Sequence, residues 1–146
     1  MTQVFTIGFT KKSAAQFFEL LKGASIEQLV DVRLNNVSQL AGFSKRDDLA
    51  YFLKTICNIE YIHEPLLAPT QDMLDQYKKS KGSWDDYEKK FLELLKERQI
   101  EKRISPELFA KRTVLLCSED TADCCHRRVV LDYLNTKWGD VRATHL

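Results

Sequence analysis

Between Leu116 and Val129 the chain places Cys117, Glu119, Asp120, Asp123, Cys124, Cys125, His126, Arg127 and Arg128 in close succession. Together these side chains supply a thiol nucleophile or redox centre, groups that move protons, and guanidinium anchors for an anion. The apolar run Thr113-Val114-Leu115-Leu116 ahead of them reads as a buried strand, and Val130, Leu131, Leu134 and Trp138 behind them recur at helical spacing. The motif is therefore predicted to sit in a strand-to-helix turn. In open α/β sheets such turns line the crevice outside the carboxyl ends of the strands, where ligands bind.

Charge sharpens this expectation. Arg127 and Arg128 fall in the predicted first turn of the helix, an end whose unpaired N–H groups already make it electropositive, so each cation there costs about 0.3–1 kcal/mol. Compensation is expected from Glu119, Asp120 and Asp123, from a bound phosphate or carboxylate, or from both. A Glu119–Arg127 ion pair that merely closes the loop is the plainer alternative. Arg127 lies in register with Val130, Leu131 and Leu134, so it is expected to point toward the carboxyl edge of the sheet.

The thiols have several readings. Cys125, near a helix start and beside His126 and two arginines, has the electropositive surroundings that lower a thiol pKa. Cys117 at the strand end could face it across the turn, resolving a sulfenate or forming a disulfide. Against both stands simple burial, the usual fate of a free cysteine and the reading given to Cys57 and Cys124. Zinc is a third option for Cys117, Cys124, Cys125 and His126, but the spacing lacks the second cysteine pair of the common knuckles, and His63 or His145 could complete a site only through folding. No metal ligand set and no cofactor is assigned. A phosphatase-type phosphate loop is excluded, because the position six residues after Cys117 is Asp123, a carboxylate that would repel phosphate.

The rest of the chain must position this turn. Val4-Phe5-Thr6-Ile7 reads as a buried strand, and Ser13 with Gln16 reads as a capping box opening a helix that buries Ala14, Phe17, Phe18 and Leu21. Leu29-Val30-Asp31-Val32 is a second strand. Ser44 with Asp47 is expected to cap a helix whose Leu49, Phe52, Leu53 and Ile56 face inward, and Ile59-Glu60-Tyr61-Ile62 is a third strand. Helical segments follow, the clearest starting at Ser83 with Trp84, Tyr87, Phe91, Leu94 and Leu95 on one face. Ser105-Pro106 opens another, and Val141-Arg142-Ala143-Thr144 closes the sheet. The pattern predicts a single three-layer α/β domain over 1–146, doubly wound and Rossmann-like, with a mostly parallel five-stranded sheet in the order 3-2-1-4-5 and helices on both faces.

That order puts the switch point between Gly8 and Cys117. Asp31 and Arg33 would project from the neighbouring strand end and His145 from the last. Gly8 and Thr10 then join Arg33, Arg127, Arg128 and His145 as candidates for binding the ligand, Gly8 because it lets a ligand approach the backbone closely. Cys117, Glu119, Cys125, His126 and Asp31 are the candidates for chemistry. The alternatives are a turn glycine at position 8 and, for Asp31, a carboxylate that pairs with Arg33 or caps its own loop. The loop Leu34–Phe43 is a candidate lid.

Bulk properties narrow the function classes. The 146 residues, 44% of them hydrophobic, suffice to bury a core without staples. A formal charge of +1 exerts no global pull on nucleic acid, no run reaches the apolar length of a membrane span, and four irregularly spaced cysteines without an apolar leader point to a reducing cytoplasm.

Thr6-Ile7-Gly8, Asp31-Val32-Arg33, the Cys117-x-Glu119…Cys125-His126-Arg127 turn and the closing His145-Leu146 resemble the bacterial and archaeal domain of unknown function 488 family over nearly the whole chain. The resemblance implies an α/β domain of unestablished activity. The chain departs from it at Phe9, where the family usually carries a polar residue, and at Ala122, where it usually carries proline. The expected function is an enzyme that uses the Cys/His/Arg turn on an anionic small molecule such as a nucleotide or phosphate ester. The competing class is a non-catalytic module binding nucleic acid or protein through the basic stretch from Lys78 to Arg103 and Trp84.

Overall fold

The computed structural model describes residues 2–34, 42–79, 83–117 and 126–146, without the side chains of Lys78 and Lys79. Five strands form one parallel sheet: β1 (Thr2–Gly8), β2 (Gln28–Asp31), β3 (Glu60–His63), β4 (Thr113–Cys117) and β5 (Val141–His145). Between them lie α1 (Ala14–Gly23), α2 (Arg46–Phe52), α3 (Gln71–Lys79), α4 (Trp84–Arg98), α5 (Ile100–Arg103) and α6 (His126–Trp138). Runs rich in β-branched and apolar residues make the strands, and polar caps start three of the helices, Thr70 accepting the Met73 N–H at the start of α3. Ser13 and Gln16 form the expected capping box on α1, and Ser83 accepts the Asp86 N–H at the start of α4.

The strand order is β3-β2-β4-β1-β5, not the expected 3-2-1-4-5. Every residue of β4 is buried, whereas β1 begins with the polar, accessible Thr2 and Gln3. The wholly buried strand takes the centre and β1 moves one place outward. β1 and β4 remain neighbours, with Gly8 opposite Cys117, and β2 now flanks β4 on its other side, with Asp31 opposite Leu116.

Two cores sandwich the sheet. On one face Phe17, Phe18 and Leu21 of α1, with Leu49 and Leu53, pack on Phe5, Ile7, Leu29, Val114 and Leu116. On the other, Phe91, Leu95 and the Val129, Val130, Leu131 and Leu134 stripe of α6 pack on Val4, Val30, Leu115 and Cys117. Ala14 is exposed although its spacing aligns it with Phe17, Phe18 and Leu21, because it stands at the first helical position, at the end of the stripe. Ser44 lies buried in a short 3₁₀ turn rather than capping α2, which starts at Arg46 after Lys45 with no side-chain cap. Leu53–Cys57 continues α2 as a π-helix. Its wider turn changes the helical phase, so Leu53 stays inside while Phe52 and Ile56 are 37% and 44% exposed.

Candidate functional site

The carboxyl ends of β1, β4 and β2 bring together side chains that the order of the strands divides between two faces. Side chains alternate along a strand, and paired residues of parallel neighbours share a face. Asp31 therefore lies on the face of its partner Leu116, the α1 side, while Cys117 continues the row of Leu115 toward α6.

On the α1 side, Asp31 is fully buried and accepts from Arg33 three times: Oδ1 from the backbone N–H at 3.1 Å and from Nε at 2.9 Å, and Oδ2 from Nη2 at 2.8 Å. The Tyr61 hydroxyl donates to Oδ2 as well, at 2.5 Å. The side-on fork is the strongest geometry available to an Arg–carboxylate pair. His63, opposite Asp31 in β3, donates from Nε2 to the Arg33 carbonyl at 2.8 Å and fixes the backbone there. The guanidinium carbon stands 5.3 Å from the centre of the Phe9 ring. Because β4 lies between β2 and β1, the Arg33 side chain reaches past the end of β4 to the first residue beyond β1. Its remaining nitrogen, Nη1, is buried with no hydrogen-bond partner among the described residues. Leaving a buried donor unsatisfied costs about 1–3 kcal/mol, more when it is charged.

On the α6 side, His126 opens the helix and is buried. Its Nε2 lies 2.8 Å from the Val32 carbonyl oxygen. A carbonyl only accepts, so Nε2 carries the proton and Nδ1 of the neutral ring presents a lone pair. That lone pair faces Cys117 Sγ at 3.4 Å, and Phe91 packs edge-on against the imidazole. The His126 pKa is held down to about 4, by burial above all and also by neighbouring Arg127, against the opposing effects of the Val32 carbonyl and Asp31. The ring is thus neutral at physiological pH. Cys117 is disulfide-bonded. Cys57 packs part-buried, with its thiol pushed up chiefly by burial.

The other candidates distribute as follows. Arg127 is completely buried, as its register with the apolar stripe of α6 requires. Arg128 is tied into ion pairs with Glu88 of α4 at 3.1 Å and Asp132 at 2.9 Å. Gly8 is buried at the end of β1 and Thr10 is exposed in the turn after it. His145 is set apart on the edge strand, where its Nδ1 lies 2.5 Å from the hydroxyl of buried Thr6. Glu119, Asp120, Asp123, Cys124 and Cys125 lie outside the described residues, as do most of the candidate lid and of the Lys78–Lys81 cluster. Trp84 packs against Tyr77 and Tyr87 instead of presenting its ring.

Sequence reasoning did not place Phe9 or Tyr61 at the site and weighed His63 only as a zinc ligand. Their signal was the alternation of β3, which puts Tyr61 and His63 on one face, and the position of Phe9 directly after a strand-end glycine. Among the described residues no group of three or more His, Cys, Asp or Glu side chains is placed to hold a metal ion, and no helix is long and apolar enough to cross a membrane.

Residues 13–134 match the model of a family described as Domain of unknown function DUF488. Neither the curated proteins nor the solved structures contain a match to the chain.

Proposed function

As the chain belongs to the domain of unknown function 488 family, whose description names no activity, its function has to be argued from its own site, and we propose that it is an enzyme acting through the Cys117 thiol on an anionic small molecule held at the carboxyl edge of the sheet. One observation carries this reading: the His126 lone pair faces Cys117 Sγ at 3.4 Å in a tautomer imposed by the Val32 carbonyl. A base aimed at a sulfur and oriented by a third group is the arrangement of an activated nucleophile. The disulfide is its resting oxidised form. In a reducing cytoplasm, the compartment that the cysteine pattern favours, disulfides are usually transient and catalytic.

A dithiol reductant returns Cys117 and its partner to thiols, supplying two electrons and two protons and leaving as its own disulfide. The Cys117 S–H then donates to His126 Nδ1. As the sulfur attacks an electrophilic centre of the substrate, the imidazole takes that proton and passes it to the departing group. Buried Arg33 and Arg127 are the anchors for the substrate's negative charge, and Asp31 orients the first of them.

The test is alkylation of the native protein with iodoacetamide after treatment with dithiothreitol, mapped by mass spectrometry. Cys117 is expected to react, and His126→Asn to slow it by about a hundredfold, the low end of what a positioned base contributes. No modification of Cys117 in the folded, reduced protein would remove the thiol chemistry.

A further inference from the structure

Trp84, Tyr87 and Phe91 stand at positions i, i+3 and i+7 of α4 and therefore share one face of the helix. Tyr77 of α3 packs against the outer two rings, and His126 at the start of α6 meets the inner one. The result is a continuous column. Trp84 and Tyr87 are stacked with centroids 5.3 Å apart, Tyr87 and Phe91 follow at 6.4 Å, and Phe91 stands edge-on to the imidazole at 5.5 Å. Beyond the imidazole lies Cys117 Sγ, 3.4 Å from Nδ1. Trp84 is part-exposed at the outer end, Tyr87 is buried and Phe91 is completely so.

Contacts of this kind stabilise any aromatic core, but packing does not dictate the order of the ring types. From outside inward the oxidisable groups are an indole, a phenol and a thiol. Their one-electron potentials fall in that same order, so an electron vacancy placed on Trp84 runs downhill to Tyr87 and from there to Cys117. Phe91 is too hard to oxidise to hold the vacancy, and with the imidazole it forms the packed path through which the last step tunnels. Two further features suit this traffic. Trp84 Nε1 is buried without a hydrogen-bond partner among the described residues. An indole N–H is only a donor, so on losing an electron the ring has no acceptor for its proton and remains a strong oxidant. A buried donor left unsatisfied is costly, and a redox role is one reason to keep it. At the inner end the His126 lone pair stands ready for the proton that Cys117 releases as its electron leaves.

We infer that the Trp84–Tyr87–Phe91–His126 column is a one-electron relay that carries oxidising equivalents from the surface to Cys117 and closes its disulfide. The inference rests on the thiol–disulfide cycle of Cys117 proposed above and adds the class of its oxidant: a one-electron acceptor that reacts at the α3–α4 surface and not at the sulfur. The first acceptor takes an electron from Trp84, and the vacancy is refilled from Tyr87 and finally from Cys117. Cys117 becomes a thiyl radical with its proton on His126. The thiyl bonds to the sulfur of its disulfide partner as that sulfur gives up its own proton, which forms a disulfide radical anion, and the second acceptor removes the extra electron by the same path. Two thiols thus become one disulfide, two protons pass to solvent, and two acceptors are each reduced by one electron.

The test uses the full chain, reduced with dithiothreitol and freed of it without air, and photogenerated tris(bipyridine)ruthenium(III) as the oxidant. Disulfide formation at Cys117 is read by mass spectrometry, with Cys57, on the other face of the sheet, as internal comparator. In the native protein Cys117 is expected to be oxidised ahead of Cys57, with a tyrosyl radical preceding it in transient absorption. Tyr87→Phe removes only the hydroxyl and leaves a ring that cannot hold the vacancy, so it is expected to lose most of that oxidation. Trp84→Phe, at a part-exposed position, is expected to lose it as well and keeps the proposal testable should the first variant fail to fold. Tyr51→Phe, on the α1 side of the sheet, is expected to change nothing. Hydrogen peroxide, a two-electron oxidant that acts on the sulfur directly, is expected to oxidise Cys117 equally in the native protein and in both column variants. Native-like oxidation by ruthenium in the column variants, oxidation of Cys117 no faster than that of Cys57, or a matching loss with peroxide would each overturn the relay. Column variants that oxidise as the native protein does, with a Cys117 that reacts with iodoacetamide, would sink this inference alone. A relay-oxidised Cys117 that resists iodoacetamide would sink the nucleophile alone.

Discussion

The Nε2 of His126 and the carbonyl oxygen of Val32, 2.8 Å apart, join the first turn of α6 to the end of β2 across the carboxyl edge of the sheet. The burial of the ring, which this bond only partly offsets, costs the protein its tolerance of acid. With its folded pKa lowered to about 4 against an ordinary 6.5, His126 stays neutral in the native state at a pH where the unfolded chain binds a proton. The contribution is intact above the unfolded value and is lost as pH falls from 6.5 toward 4. Linkage puts the loss between pH 7 and pH 5 at about 2 kcal/mol. Urea unfolding at both pH values should return a difference of that order, and His126→Gln should remove most of it. An unchanged pH dependence in the variant would mean that other groups carry the acid sensitivity.

The Asp31–Arg33 pair is buried on both sides, at 0% and 3% exposure, so breaking it should cost far more than a surface pair. Asp31→Asn leaves the guanidinium in place without its counter-charge and is expected to destabilise by about 3–5 kcal/mol. Tyr61→Phe removes one hydrogen bond to the same carboxylate and should cost about 1 kcal/mol. The double variant Asp31→Asn with Arg33→Met should recover much of the first loss, because no buried charge then remains. Additive losses in that cycle would show that the two side chains are not coupled.

Arg128 gives the contrasting case. Its partners Glu88 and Asp132 are part-exposed to exposed, and pairs of that kind contribute about 0–1 kcal/mol. Arg128→Ala is expected to lower stability by no more than that and to leave any phosphate-induced rise in melting temperature intact. A lost rise would return Arg128 to the binding site.

What the sequence made legible follows the range of the interactions involved. The Ser13–Gln16 box is a matter of three residues and could be read directly. The burial of Arg127 follows from its spacing to Val130, Leu131 and Leu134 within one helix. The places of β1 and β4 could not be read this way, because both are apolar runs that look alike whichever is central, and only the packing of Thr113–Cys117 on both faces decides between them. The division of Asp31 and Arg33 from Cys117 and His126 follows from a register, Asp31 against Leu116 and Gly8 against Cys117, that depends on that same order. Convergence at one edge was therefore visible from the strand ends, whereas the face on which each group stands was not.

The second element that misled the sequence reading is α2, and it yields a direct test. Spacing of 3.6 residues puts Leu49, Phe52, Leu53 and Ile56 on one stripe, but the π-helix over Leu53–Cys57 shifts the phase and turns Ile56 outward. Leu53, fully buried against the α1 side of the sheet, should cost about 2–5 kcal/mol when cut to alanine. Ile56→Lys, a change that would be severe on a buried stripe, should alter stability by no more than about 0.5 kcal/mol. Urea unfolding of the two variants side by side measures this difference. Equal losses would mean that the helix keeps a 3.6-residue phase through Ile56 and that its burial is as the sequence alone suggests.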